Sequence, residues 1–163
     1  MAVTYEPIAT TTLGSAASSI TFSSIPATYT DLRLVVVPIG TTTLSLDLNF
    51  NSDTATNYSQ TSLSGNGTAA ASSRLTSRTK IDLTYVTNIQ STPTLRTADI
   101  FSYAGSTFKT VLTSDSADLN GSGSTVNTVG LWRSTSAITT VALAVSGTMA
   151  AGTTATLYGI KSA

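Results

Sequence analysis

The sequence predicts an all-β chain, folded as a single antiparallel two-sheet β-sandwich of jelly-roll-like type over residues 1–163. Three observations predict it. Apolar residues recur at every second position along several segments, the period of a strand and not of a helix. Turn signals rich in Gly, Ser and Asn separate those segments. The composition joins 40% hydrophobic residues to 33 Thr and 24 Ser, with only 10% charged residues, more apolar material than a disordered tract holds.

The elements follow in chain order. Tyr5 to Thr12, Ser18 to Ile25 and Leu32 to Val37 read as the first three strands. In Leu44-Ser45-Leu46-Asp47-Leu48-Asn49-Phe50 the alternation places four apolar side chains on one face and Ser45, Asp47 and Asn49 on the other. From Asn51 to Ser77 the pattern weakens, and the segment is either a long excursion or a weak edge strand around Tyr58 to Leu63. Alternation returns in Ile81 to Tyr85, and Leu46 and Leu83 are expected in the core. Leu95 to Tyr103 and Thr107 to Leu112 pair across Ala104-Gly105-Ser106, a connection short enough for a hairpin. Val126 to Trp132 follows the turn Asn120-Gly121-Ser122-Gly123. Ile138 to Val145 carries apolar groups on both faces, which predicts a central strand. Thr154 to Ile160 closes the chain. Many short strands with strand-like termini favour a jelly roll; an immunoglobulin-like sandwich is the alternative, but the Cys pair is missing and the strands are too many.

Charge and residue types exclude whole classes of function. Eight basic and eight acidic residues give a formal net charge of zero, and basic residues scattered from Arg33 to Lys161 make no dense patch for nucleic acid. Without His or Cys, the zinc sites, Ser-His-Asp and Cys-His arrangements, haem ligation and disulfides that use those residues are closed to this chain. Met1 to Leu13 has neither a basic start nor an apolar run, and the longest apolar stretch, Leu34 to Ile39, includes Pro38. A soluble chain made without secretion, and without a membrane partner, is the expectation.

Several constellations invite a chemical reading and are weighed against plainer ones. Asp115, Asp118 and Asn120 precede Gly121 and read as a turn offering three oxygen ligands; the spacing departs from a calcium loop and lacks its bidentate Glu, so turn capping is expected and no metal. Glu6 is the single Glu, which leaves little for a paired-carboxylate glycosidase. Three Asn-x-Ser/Thr triplets, at Asn57, Asn66 and Asn120, arise by chance at this Ser and Thr content. Arg74, Arg78 and Lys80 form the one basic cluster, read as a solvated face in preference to an anion site. Tyr29, Tyr58, Tyr103 and Trp132 are candidates for sugar stacking if exposed. Trp132, beside Arg133 at a strand end, reads more readily as a core or subunit-interface anchor. Trp132, Arg133, Tyr58 and Tyr103 are the expected interface residues.

Four stretches carry a resemblance: Ile8 to Val36, Phe50 to Tyr58, Gly130 to Ile138 and Ala155 to Lys161. Together they resemble a family of small virion structural proteins of tailed bacteriophages, of the type frequent in phages of aquatic bacteria. That resemblance implies a non-enzymatic particle component, a capsid decoration or fibre-associated protein, with no catalytic residue and no cofactor. It implies location in the virion after synthesis in the bacterial cytoplasm, with other virion proteins as partners, the major capsid protein first among them. A compact domain without a heptad stretch for a shaft favours capsid decoration, and a homotrimer suits a threefold site on a head surface. The alternative is a tail or fibre module that binds a host surface glycan through Tyr58, Tyr103 or Trp132.

Overall fold

The computed structural model describes residues 4–40, 44–84, 89, 91–92 and 94–161. Among them lie twelve strands and no helix: β1 (Tyr5–Thr12), β2 (Ala17–Phe22), β3 (Asp31–Val37), β4 (Leu46–Phe50), β5 (Tyr58–Gly65), β6 (Ala70–Arg78), β7 (Ile81–Asp82), β8 (Leu95–Ile100), β9 (Lys109–Asp118), β10 (Gly123–Trp132), β11 (Val141–Met149) and β12 (Thr154–Ile160). Every pairing is antiparallel. Tyr85, the expected end of a strand, lies outside the described residues.

Two sheets pack face to face. One has eight strands in the order β1-β12-β3-β8-β9-β10-β5-β6, the other four in the order β2-β11-β4-β7. Set the hairpins β5-β6 and β9-β10 aside, and the remainder is β1-β12-β3-β8 against β2-β11-β4-β7, the strand order expected of a jelly roll. The two hairpins join edge to edge and extend the larger sheet as a wing beyond β8.

The alternation of each strand sets what it buries. Leu32, Leu34 and Val36 of β3 face Leu46, Leu48 and Phe50 of β4 and Val141, Leu143 and Val145 of β11 in one apolar cluster, each large side chain contributing about 1.5–3 kcal/mol of burial. Leu46 and Leu83 are both buried, as the pattern predicts. β11 is the interior strand expected, flanked by β2 and β4. It begins later than the sequence suggests because Asn51 holds the preceding residues: its Oδ1 accepts the N–H groups of Thr139 (2.9 Å) and Thr140 (3.0 Å). β2 stops at Phe22, short of Ile25, where Ser24 turns to a φ of 55°. Close packing also fixes Gly159, since a Cβ there would stand 2.3 Å from the Tyr29 ring.

The segment 51–77 is no excursion. From Tyr58 onward it is a hairpin, β5 and β6, paired from Gly65↔Ala70 back to Tyr58↔Arg78, and the strand expected around Tyr58 to Leu63 is interior, with β6 outside it at the sheet edge. Inward positions of β5 after Tyr58 are Gln60 and Ser62, so buried polar side chains blur the period that marks a strand. The same cause hides the far half of β9, where Thr113 and Asp115 point inward. Between β8 and β9 the connection spans 101–108, longer than Ala104-Gly105-Ser106, because Tyr103 turns into the core and Lys109 clamps the loop. The buried Lys109 Nζ donates to the carbonyls of Gly105 (2.7 Å) and Thr107, and burial lowers its pKa.

Candidate interaction surface

Three of the four expected interface residues lie inside the chain. Tyr58 and Tyr103 are 0% exposed and Trp132 is 2% exposed, so none of them can stack on a sugar or anchor a partner without opening the core. Trp132 shares the inward parity of Val126, Thr128 and Gly130 along β10, a parity that a lone Trp at a strand end does not declare in sequence. Its indole Nε1–H donates to Asp53 Oδ2 at 2.7 Å, its ring stacks on Tyr58 with centroids 6.2 Å apart, and Phe50 meets it at 5.5 Å. Asp53 also accepts from Asn57 Nδ2 (3.0 Å) and the Ala55 N–H (2.9 Å). The Asn57 bond, followed by Trp132 and Ala55 and opposed by desolvation, holds its carboxyl below the ordinary carboxylate range.

Tyr58 Oη bridges the Phe50 backbone, accepting from its N–H at 3.1 Å and donating to its carbonyl at 3.3 Å; burial pushes the phenol pKa up. Tyr103 donates to the Pro26 carbonyl and accepts from the Tyr29 N–H. Arg133 alone is exposed, and its guanidinium donates to the Thr56 carbonyl.

The charged constellations resolve into internal pairs. Asp115 is not in a turn; it lies on β9, buried, 2.6 Å from the equally buried Arg96. Asp118 and Asn120 do form the expected cap, with Asp118 Oδ1 accepting the Asn120 N–H at 3.0 Å. In the basic cluster, Arg78 pairs with Asp82 (3.1 Å), Lys80 with Asp47 (2.5 Å), and Arg74 Nε donates to Thr61 Oγ1, which neutralises most of its field. Burial raises the Asp47 pKa, against the lowering pull of Lys80. Among the described residues, no three of His, Cys, Asp or Glu gather closely enough to hold a metal.

What the fold does present is the solvent face of the wide sheet. Register aligns Arg74, Thr61, Val129, Leu112, Asp99 and Arg33 as one row across six strands. Val129 is 51% exposed and Leu112 40%, directly opposite each other on β10 and β9. Leu63 adds an exposed apolar side chain on the neighbouring row, which continues through Asn127, Ser114 and Thr97, and Leu95 adds another one row further on, beside Ser116 and Thr125. Phe101 continues the parity of β8, its N–H bonded to the Thr110 carbonyl, and it too is exposed. Arg33 and Asp99 pair at 3.5 Å within the face.

This surface has no single-segment signature. Each apolar residue on it is flanked by inward positions that are partly polar, so only pairing β9 with β10 across Asn120-Gly121 brings Leu112 and Val129 together. Compared with family models, with curated proteins and with solved structures, the chain matches none.

Proposed function

We propose that the chain is a non-enzymatic structural protein of a tailed-bacteriophage particle, a capsid decoration protein that docks on the head surface as a homo-oligomer, a homotrimer by expectation, with the major capsid protein as its partner. The observation that carries this reading is the broad outer face of the eight-stranded sheet, where Leu63, Leu95, Leu112 and Val129 stand exposed among hydroxyl groups. Exposed apolar side chains on a polar surface, with Leu112 and Val129 directly opposite each other on β9 and β10, suit a contact site. Hydroxyls on a rigid sheet add hydrogen bonds at a smaller ordering cost than long charged side chains. The resemblance of the Ile8 to Val36 and Gly130 to Ile138 stretches to phage virion proteins supplies the partner. The glycan-binding alternative rested on Tyr58, Tyr103 and Trp132, whose rings are internal.

The test is to count copies per purified particle and to measure rebinding to particles made without the protein. Copies in the hundreds, with affinity changing less than about tenfold between roughly 50 and 500 mM salt, are expected of a face this poor in charge. A few copies per particle, or a steep salt slope, overturns the decoration reading.

A further inference from the structure

At the far end of the wing the β5-β6 and β9-β10 turns come side by side and flank an open, shallow cleft of about 690 Å³, with a second of about 260 Å³ sharing Gly65, Asn66 and Ser124. Both turns are locked from within. Asn66 Oδ1 accepts three hydrogen bonds, from the Thr68 N–H (3.0 Å), the Thr68 hydroxyl (2.9 Å) and the Ala69 N–H (2.8 Å). Across the cleft, Asp118 Oδ1 holds the Asn120 N–H. Locking one oxygen of each residue fixes its other polar atom. Asn66, with its Nδ2 donor, and Asp118, with its Oδ2 acceptor, line the cleft together with the hydroxyl-bearing Ser116, Ser122 and Thr125.

We infer that this paired cleft is a binding site for a neutral saccharide. A fixed donor, a fixed carboxylate acceptor and three rotatable hydroxyls match a ligand whose every edge both donates and accepts. Asp118 disfavours an anion, and no Lys or Arg lines either cleft. One carboxylate is too little for a divalent cation. A peptide needs pockets for its side chains, and the apolar side chains lining these clefts are no larger than alanine. The alanines at 69, 71 and 117 offer small apolar patches for the ring carbons. The site borders the outer-face docking surface, sharing with it Ser116 and Thr125 of the row beside Leu95, and does not rest on the particle reading.

Amide resonances of the full chain, followed by NMR during titration with neutral trisaccharides of glucose, galactose, mannose and N-acetylglucosamine, test the inference. At least one trisaccharide is expected to shift the amides of 65–68 and 116–125 saturably, with a Kd on the order of 0.1–10 mM. Asp118→Ala should weaken it about tenfold, and Thr125→Tyr, a substitution at an exposed strand position that leaves the turn cap intact, should block it. No shift at these amides, shifts that map elsewhere, or shifts that survive Thr125→Tyr overturn the site. Saturable binding of a neutral Gly-Ser peptide there, with no trisaccharide bound, overturns the ligand class.

Discussion

Replacing Trp132 by Ala separates a core residue from an interface anchor. The indole is buried against Phe50 and Tyr58 and bonded to Asp53 at 2.7 Å, so truncation removes a large buried ring and leaves a cavity, a loss of about 3–5 kcal/mol. Against a total stability of roughly 5–15 kcal/mol for a domain, that is about a fifth or more of what holds the fold together. For a chain of this length it lowers Tm by on the order of 10 °C. Trp132→Phe keeps one aromatic ring but removes the indole N–H and part of the bicyclic volume; Asp53 retains Asn57 and Ala55, so the cost is smaller than for Ala, about 1–3 kcal/mol. Urea unfolding followed by far-UV circular dichroism is the assay, because Trp132 is the single Trp and its fluorescence goes with it. The reasoning fails if Trp132→Ala costs less than about 1 kcal/mol yet abolishes self-association, for then the residue acts between chains.

Two further outcomes follow from buried charge. Arg96→Leu alone leaves Asp115 charged and buried and should cost about 3–5 kcal/mol, whereas the double change with Asp115→Leu should cost far less than the sum of the two single changes, because the uncompensated charge is gone; additive losses in urea unfolding would contradict the pairing. Burial raises the Asp47 pKa in the folded state, so the native protein binds that proton more tightly than the unfolded chain does. Its contribution to stability therefore falls as pH rises from the ordinary carboxylate value through the raised folded one. The difference in unfolding free energy between wild type and Asp47→Asn, measured across pH 3–7, should change in that sense, and a contribution that grows with pH would reverse the assignment.

Strands with one polar inward position, such as Arg96 in β8 or Thr128 in β10, were still legible in the sequence, whereas the stretches of β5 and β9 with two successive polar inward positions were not. β1 and β12 run over the expected residues, and Leu46 and Leu83 are in the core. β6 escaped because it is an edge strand whose residues are mostly exposed, so no inward alternation is imposed on it. Asp115 looked like a turn residue because nothing local announces Arg96, nineteen positions earlier, as its buried partner. Tyr58 and Trp132 are internal because the fold turns both onto Phe50; a large aromatic at a strand end fits core or interface equally in sequence, and for Trp132 only the parity of β10 decides for the core. The outer-face residues are visible only in register, through pairs such as Val129↔Leu112.

The proposed docking face is tested most directly by rebinding of the Leu112→Lys/Val129→Lys protein to particles made without the native chain. Both positions are exposed, so the substitutions should change stability by no more than about 1 kcal/mol, which thermal unfolding verifies. With both side chains at the contact, two buried and unpaired charges should weaken binding at least a hundredfold. Binding equal to that of the native protein, from a variant of unchanged stability, contradicts the assignment of the outer face as the docking surface.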